Sequence, residues 1–206
     1  MLFGKGLKRF NFVLPTPCCR TATTTLHAPT RTTQARATVP MSSPSVVWDA
    51  APVGKDCDWT DTDLCEKLES PEALTVTTLV LTNRPSGASV AAAVCGLLRR
   101  RRCSLRHLDL SGCDLTEGSV EEIGAALAQN ETLQELILED NQAVEERGGL
   151  ALRRGMDCNL KVTMLRVGGC NMTHNMRAQI KRRVDMNMQY SRLVVRRREQ
   201  SSRRVN

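Results

Sequence analysis

Four segments of the chain share one spacing of apolar residues, with aliphatic side chains at the first, fourth and sixth positions. The first apolar residues of these segments, Val76, Leu105, Leu133 and Val162, follow one another at intervals of 29, 28 and 29 residues. The alternation between the last two apolar positions is typical of a strand, because successive strand side chains point to opposite faces. We therefore predict four stacked strand-containing repeats.

A small polar residue follows three of these segments, at Cys113, Asn141 and Cys170. The full pattern, LxxLxLxx(N/C)xL, resembles the leucine-rich repeat, and the alternation of 28 and 29 residues resembles its ribonuclease-inhibitor type. A side chain of this kind is expected to hydrogen-bond backbone groups that the bending strand leaves unpaired. The first segment departs from the pattern with Arg84, as expected of a terminal repeat.

The stretches between the strands carry helical signals, such as the spacing of Val90, Val94 and Leu97. Between Glu145 and Met156, the pair of glycines at 148–149 predicts a short or frayed helix. The resemblance implies an α/β fold, a short leucine-rich repeat solenoid of about four repeats of 28/29 residues. Its parallel sheet would form the concave face and its helices the convex face.

Both ends of such an array need a cap, because an open repeat would expose apolar surface to water. We predict an N-terminal cap over residues 49–74, with the repeats at 75–172. Within the cap, a short helix would present Leu64, Cys65 and Leu68, and either Trp48 or Trp59 would cover the first repeat.

Residues 173–198 are predicted to form a C-terminal capping helix, followed by a disordered tail at 199–206. Their spacing of basic, aliphatic and amide side chains resembles the closing helix of the tropomodulin family, at Arg177, Ile180, Val184, Asn187, Tyr190, Arg192 and Arg196. An alternative stays open, because Tyr190 begins a further apolar triad 28 residues after Val162 and could start another strand. The helix is favoured because Ile180, Val184 and Tyr190 share one helical face.

The net charge of +7 is unevenly divided along the chain. Residues 1–48 hold six basic and no acidic side chains, residues 49–173 are net acidic, and residues 174–206 hold ten basic and two acidic side chains. The isoelectric point alone would therefore wrongly suggest a uniformly basic protein.

The basic leader, residues 1–48, begins with an amphipathic segment and continues with a stretch rich in Thr, Ser, Ala and Arg. It is predicted to be disordered, and its composition resembles an organellar transit peptide, which predicts a mitochondrial protein, with a plastid as the lesser destination. The alternatives are an ordinary basic tail on a cytoplasmic protein and translation that starts at Met41.

Strand side chains between the inward leucines are expected to line the concave face and to bind a protein partner. The residues predicted for this surface are His107, Asp109, Ser111, Glu135, Ile137, Glu139, Asp140, Met164 and Arg166. The acidic side chains among them would repel nucleic acid.

A second contact surface is predicted in the basic C-terminal region. Its residues are Lys181, Arg182, Arg183, Arg196, Arg197 and Arg198. An acidic protein, RNA or an anionic membrane surface would suit these charges. For basic residues 99–102 and 153–154, the helix dipole, which favours cations at a helix C-terminus, is a sufficient explanation, and a contact with RNA or an acidic protein stays the alternative.

Enzymatic chemistry is not indicated. The three histidines, at 27, 107 and 174, stand in no nucleophile or metal-ligand spacing, and no glycine-rich phosphate loop follows a strand. The nine cysteines form no CxxC pair and are expected to be reduced and mostly buried. We expect no metal, no cofactor, no small-molecule substrate and no membrane-spanning helix.

These observations predict a non-enzymatic protein-protein interaction module. The favoured role is an adaptor, structural subunit or assembly factor of a mitochondrial complex, such as a respiratory complex or the mitochondrial ribosome. The alternatives are a tropomodulin-like cytoskeletal binding protein and a ribonucleoprotein component that contacts RNA through its basic C-terminus.

Overall fold

Each strand of the molecule pairs in parallel with the next strand along the chain, so that five strands form one sheet. The structure, a computed structural model, describes residues 46–49, 59–84 and 87–203. The strands are β1 (Val46–Asp49), β2 (Val76–Val80), β3 (His107–Asp109), β4 (Glu135–Ile137) and β5 (Met164–Arg166). The helices are α1 (Asp61–Glu69), α2 (Gly87–Arg99), α3 (Glu117–Leu127), α4 (Glu146–Cys158) and α5 (His174–Arg203), with a 3-10 helix at Glu72–Thr75.

The pairing of the strands confirms the register that the apolar spacing predicts. Leu79, Leu108, Leu136 and Leu165 lie side by side across the sheet. The first three are fully buried, whereas Leu165, on the last strand, is partly buried. These leucines and the apolar sides of the helices form one hydrophobic core. The α/β repeat fold is therefore confirmed.

The boundary predicted for the leader is wrong at its C-terminal end. Val46 to Trp48 belong to β1, which pairs with β2 and is anchored by Thr77 Oγ1 donating to Val46 O at 3.0 Å. Val46 and Trp48 are half-buried while Val47 and Asp49 are exposed, the alternation of an edge strand. Residues 1–45, with the expected transit peptide and Met41, lie outside the described residues, as do residues 50–58 of the expected cap and the last three of the tail.

Helix α1 covers the first repeat. Thr60 caps it, accepting from Asp63 N, while the Asp63 carboxylate accepts from Thr60 N. Thr60 Oγ1 also donates to Asp63 Oδ2 at 2.7 Å, and the hydrogen bonds from the Thr60 hydroxyl and backbone N–H lower the pKa of the Asp63 carboxyl. The Trp48 and Trp59 rings meet edge to face with centroids 6.0 Å apart, and both pack against the core. Both tryptophans therefore contribute to the cap.

The small polar position after each strand binds backbone, as the sequence predicts. The Asn141 carboxamide accepts from the backbone N–H groups of two residues in the preceding repeat and donates to three carbonyl oxygens. Cys113 Sγ donates to Leu81 O, at 2.8 Å, and Cys170 Sγ donates to Leu138 O. In the first repeat, Arg84 is buried and its guanidinium binds Asp61 and Trp59 O instead.

A left-handed residue occupies the turn that precedes this position in every repeat. Asn83, Gly112, Asp140 and Gly169 have φ values of 54°, 64°, 58° and 71°. The side chain of Asn83 lies over Gly112, so that a Cβ at Gly112 would meet Asn83 Oδ1 at 2.5 Å. Glycine at position 112 therefore avoids both the strain of this backbone conformation and the contact with Asn83.

Helix α4 is thirteen residues long, so the prediction of a short or frayed helix is wrong. Gly148 and Gly149 are buried, and a Cβ at Gly149 would lie 2.6 Å from Met176 Cγ of α5. The two glycines allow close packing against the neighbouring helices, which outweighs their low helix propensity.

In this structure the C-terminal region forms the helix α5, which extends beyond the predicted end to Arg203. Ile180 and Val184 are buried as expected, but Tyr190 is 50% exposed. The expectation that Tyr190 shares the buried face is wrong. The last fully buried side chain of α5 is Asn187, and the residues that follow it extend past the core.

Candidate protein-binding surface

The exposed sheet face is formed by the strand side chains that alternate with the inward leucines. It consists of two columns, in which each residue pairs with its neighbour on the next strand. The first column is Val47, Thr78, His107, Glu135 and Met164, and the second is Asp49, Val80, Asp109, Ile137 and Arg166.

The structure brings the six predicted strand residues of this surface together in these columns. The remaining three, Ser111, Glu139 and Asp140, lie in the turns that follow β3 and β4. Val47 and Asp49 were not predicted for this surface, because β1 was assigned to the leader and the cap. The sequence of β1, Val-Val-Trp-Asp, does not alternate apolar and polar residues, so it offered little signal that could have found them.

Two polar contacts fix side chains on this face. His107 Nδ1 lies 2.8 Å from Glu135 Oε2, across β3 and β4. Asp109 Oδ1 accepts from both the backbone N and the Oγ of Ser111, at 3.0 and 2.6 Å. These contacts hold the carboxylates of Asp109 and Glu135 in place without burying them, so that each retains lone pairs for a partner.

The exposed sheet face is acidic and partly apolar. Asp109 and Glu135 supply negative charge on β3 and β4, and Glu139 and Asp140 add negative charge beside the face in the turn after β4, while Arg166 supplies positive charge on the last strand. Met164 is 36% exposed beside them. A surface that mixes acidic and apolar side chains is complementary to a protein with basic and apolar side chains, and it repels nucleic acid phosphates.

The predicted basic surface is divided between structural and exposed residues. Arg183 is engaged within the domain: its Nε donates to Met156 O at 3.0 Å and its Nη2 to Asp157 O at 2.9 Å, at the C-terminus of α4. Lys181 and Arg182 are exposed on the same turn of α5. Residues 196–198 are also exposed, about 20 Å further along the helix at 1.5 Å per residue.

A similar structural role belongs to Arg100, whose guanidinium binds Ser70 O at 3.0 Å and Glu69 O at the end of α1. The helix dipole favours a cation at both places. Arg100, which follows α2, therefore links α2 to α1, and Arg183 links α5 to α4.

Three buried asparagine side chains form a row that was not predicted from the sequence. Asn130 and Asn159 follow α3 and α4, and Asn187 lies within α5. Their Nδ2 groups donate to backbone carbonyls of the preceding repeat, as Asn159 does to Leu127 O at 2.8 Å. Recurrence at intervals of 29 and 28 residues was the signal that could have found them.

The buried thiols are not set up as nucleophiles. Burial raises the pKa of Cys95 and of Cys113 to about 11, and it also raises the pKa of Cys103 and Cys170. These side chains are therefore thiols at neutral pH. Within the described ranges, no group of three or more His, Cys, Asp or Glu side chains could hold a metal ion. No helix in the described part of the chain has the length and apolar character to cross a membrane.

No protein-family model matches the chain. Among curated proteins, the chain is similar to NACHT, LRR and PYD domains-containing protein 5 of Mus musculus, with 29% identity over 101 residues. That alignment covers 48% of this chain and 9% of the mouse protein, so the chain spans a small part of the relative it matches.

Among solved structures, the chain is similar to leiomodin-1 actin-binding site 2, with a TM-score of 0.63 and 20% identity over 78% of this chain and 89% of that chain. It also aligns with the tropomodulin C-terminal domain of Caenorhabditis elegans, with a TM-score of 0.41 and 10% identity over 68% of this chain and 98% of that chain. The repeat register and the likeness to leiomodin-1 together define a leucine-rich repeat fold. The ribonuclease-inhibitor type stays a prediction.

Proposed function

We propose that this chain is a protein-binding module of the cytoskeleton that binds actin through its exposed sheet face. The observation that carries the proposal is the likeness to a leiomodin-1 domain that is named as an actin-binding site, over 89% of that domain. The tropomodulin-like spacing of side chains from Arg177 to Arg196 in α5 agrees with the same interpretation.

The chemistry of the exposed sheet face supports a protein as the partner. Its carboxylates are fixed but accessible, and Ile137 and Met164 place apolar area between them. Interfaces of this kind combine a few well-packed apolar contacts with a polar rim. In this proposal, the charges orient the partner and the apolar residues supply contact area.

The test is cosedimentation of the full chain with actin filaments at micromolar concentrations, together with the rate of subunit loss from diluted filaments. We expect saturable pelleting or slowed exchange at one filament end. A chain that begins at Met41 is the matched control, because it keeps every described residue. If neither form pellets or changes filament exchange at micromolar protein, actin is not the partner.

A second candidate function follows from the leader, which carries six basic and no acidic residues. It is an adaptor within a mitochondrial complex, imported by that leader and docked through the same sheet face. The test compares the location of the full chain and of the chain that begins at Met41, each with a C-terminal tag. Import of the full chain alone, with migration in a large complex, supports this role, and a cytoplasmic location of both forms removes it.

An RNA contact is the remaining proposal, and the exposed arginines at 196–198 are the feature that supports it. Such a contact would weaken steeply with salt and disappear when residues after Tyr190 are deleted. Binding that survives the deletion would exclude the C-terminal arginines as its cause.

A further inference from the structure

Asn187 lies within α5, whereas the equivalent residues Asn130 and Asn159 lie after the ends of α3 and α4. Asn130, Asn159 and Asn187 each follow the first residue of their helix by thirteen positions. All three are buried. Asn187 Nδ2 donates to Asn159 O at 2.9 Å, just as Asn159 Nδ2 donates to Asn130 O. The second acceptors differ, because Asn187 Nδ2 also donates to Val162 O and Asn159 Nδ2 to Leu127 O. Asn159 and Asn187 therefore share one equivalent donor contact with the preceding repeat.

The amide oxygens are not equivalent. Asn130 Oδ1 accepts from Leu133 N, and Asn159 Oδ1 accepts from Lys161 N, both at 2.7 Å, where the chain turns into the next strand. Asn187 Oδ1 is buried and has no hydrogen-bond partner among the described residues. A buried acceptor of this kind is unfavourable and calls for an explanation. The cause is local, because α5 continues as a helix and directs the next N–H groups to its own carbonyls.

The sequence after Asn187 repeats the pattern found at β4 and β5. Apolar residues stand three, six and eight positions after each buried asparagine. They are Leu133, Leu136 and Leu138 after Asn130, Val162, Leu165 and Val167 after Asn159, and Tyr190, Leu193 and Val195 after Asn187. The chain therefore carries the sequence of one more strand inside α5.

The helix leaves these apolar residues largely in water. Tyr190, Leu193 and Val195 are 50%, 57% and 51% exposed. Strand β5 is the last strand of the sheet, so its outer edge has no neighbouring strand within the described part of the chain. The exposed side chains of Tyr190, Leu193 and Val195 and the unpaired outer edge of β5, beside which α5 packs, thus lie one repeat apart.

We infer that residues 188–195 encode a second conformation, in which α5 ends at Asn187 and Arg192–Val194 pair with β5 as a sixth parallel strand. Extension of the sheet register by one repeat sets Arg192 beside Met164 and Val194 beside Arg166. Asn187 Oδ1 then accepts from the N–H groups of the turn, as its two counterparts do. Leu193 turns inward, and the exposed sheet face gains a sixth position in each column.

This conformation alters the surface that a partner meets. In the helical state, Tyr190 and Leu193 are exposed beside the arginines of α5, whereas in the strand state Arg192 and Val194 extend the exposed sheet face. The inference depends on the repeat geometry and not on which partner the face binds.

Nuclear magnetic resonance of the isotope-labelled full chain tests the inference without any substitution. Saturation-transfer experiments detect minor states in exchange, and Cα shifts distinguish strand from helix and coil. We expect a minor state with strand-type shifts from Tyr190 to Val195 and helical shifts up to Met186. A single helical state would contradict the inference, and so would a minor state with coil shifts throughout the C-terminus.

A cross-link provides an independent test with a matched control. Arg166→Cys with Val194→Cys, in a chain that also carries Cys158→Ser, places both thiols on the exposed sheet face of adjacent strands. Arg166→Cys with Leu193→Cys is the control, because strand alternation points position 193 to the opposite face. Circular dichroism and the urea midpoint would check that both variants fold.

The two cross-link yields, mapped by mass spectrometry of the unreduced digest, decide the outcome. We expect about tenfold more linkage within one chain for 166–194 than for 166–193, since disulfides need Cα atoms about 5–6 Å apart. Equal yields would indicate a frayed helix, and no linkage would indicate a fixed helix. Linkage between two chains would assign the strand to a second copy. Each of these three results overturns the inference.

Discussion

Asn141 lies in the turn after β4, and its side chain hydrogen-bonds backbone groups of the turn after β3. Replacement of Asn141 by alanine removes this link between the two turns. Its carboxamide makes five contacts of 2.9–3.1 Å with backbone groups, and the residue is fully buried. The two amide hydrogens are shared among three acceptors, so the contacts amount to about four hydrogen bonds. At a net value of about 1 kcal/mol each, Asn141→Ala should lower the free energy of unfolding by about 4 kcal/mol.

The assay is urea unfolding of the full chain followed by circular dichroism. With a slope of about 2 kcal/mol per molar urea, the midpoint should fall by about 2 M. Asn171→Ala is the matched control, because Asn171 is exposed and its side chain has one contact, of 3.4 Å, with Glu145. That control should change stability by less than about 0.5 kcal/mol. A loss below about 1 kcal/mol for Asn141→Ala, or equal losses in both variants, would show that the buried amide does not hold the turns together.

Three further predictions follow from particular contacts. Gly112→Ala should destabilise the chain by about 1–3 kcal/mol, because φ is 64° and a Cβ would strike Asn83. Gly118→Ala on α3, where a Cβ would make only an ordinary contact of 3.9 Å with Thr116 Oγ1, should be neutral or stabilising by urea unfolding. Arg183→Ala should cost about 1–3 kcal/mol through the lost hydrogen bonds to α4, while Arg182→Ala should cost less than about 0.5 kcal/mol; equal effects would contradict the structural role. Burial raises the pKa of the Cys113 thiol from about 9 to about 11, so the stability that the neutral thiol confers is present below pH 9 and is lost as pH rises toward 11. The urea midpoint should fall across that window, and Cys113→Ser should reduce the fall.

The strands and their register could be predicted because they depend on side-chain period. Apolar residues that recur at 28 and 29 residues must face one core, and strand alternation then assigns the opposite face. The same alternation places His107, Asp109 and Glu135 on one surface from the sequence alone. Whether these residues bind a partner stays a prediction.

Other features depend on contacts between elements that are distant in sequence. Strand β1 pairs through backbone groups, which every residue provides, so Val46–Asp49 carried little signal. Gly149 weakens an isolated helix, yet here it allows α5 to approach α4. Arg183 resembles any surface cation until the packing of α5 beside the end of α4 shows what it binds. Each of these depends on tertiary packing, which single-sequence patterns do not specify.

If the exposed sheet face binds the partner, reversing the charge of that face should weaken binding about tenfold or more without unfolding the chain. The test variant carries Asp109→Lys, Glu135→Lys and Glu139→Lys, and it leaves Asp140 unchanged because its φ of 58° disfavours lysine. The control variant carries the same change of charge at three exposed residues outside this face, Glu66→Lys, Glu122→Lys and Glu131→Lys.

The measurement is the actin affinity of the two variants beside the original chain, after urea unfolding has shown that both are folded. We expect the sheet-face variant to bind about tenfold more weakly or worse, while the control variant keeps the original affinity. Equal affinity of all three proteins, or equal losses in the two variants, would show that actin does not bind through this face.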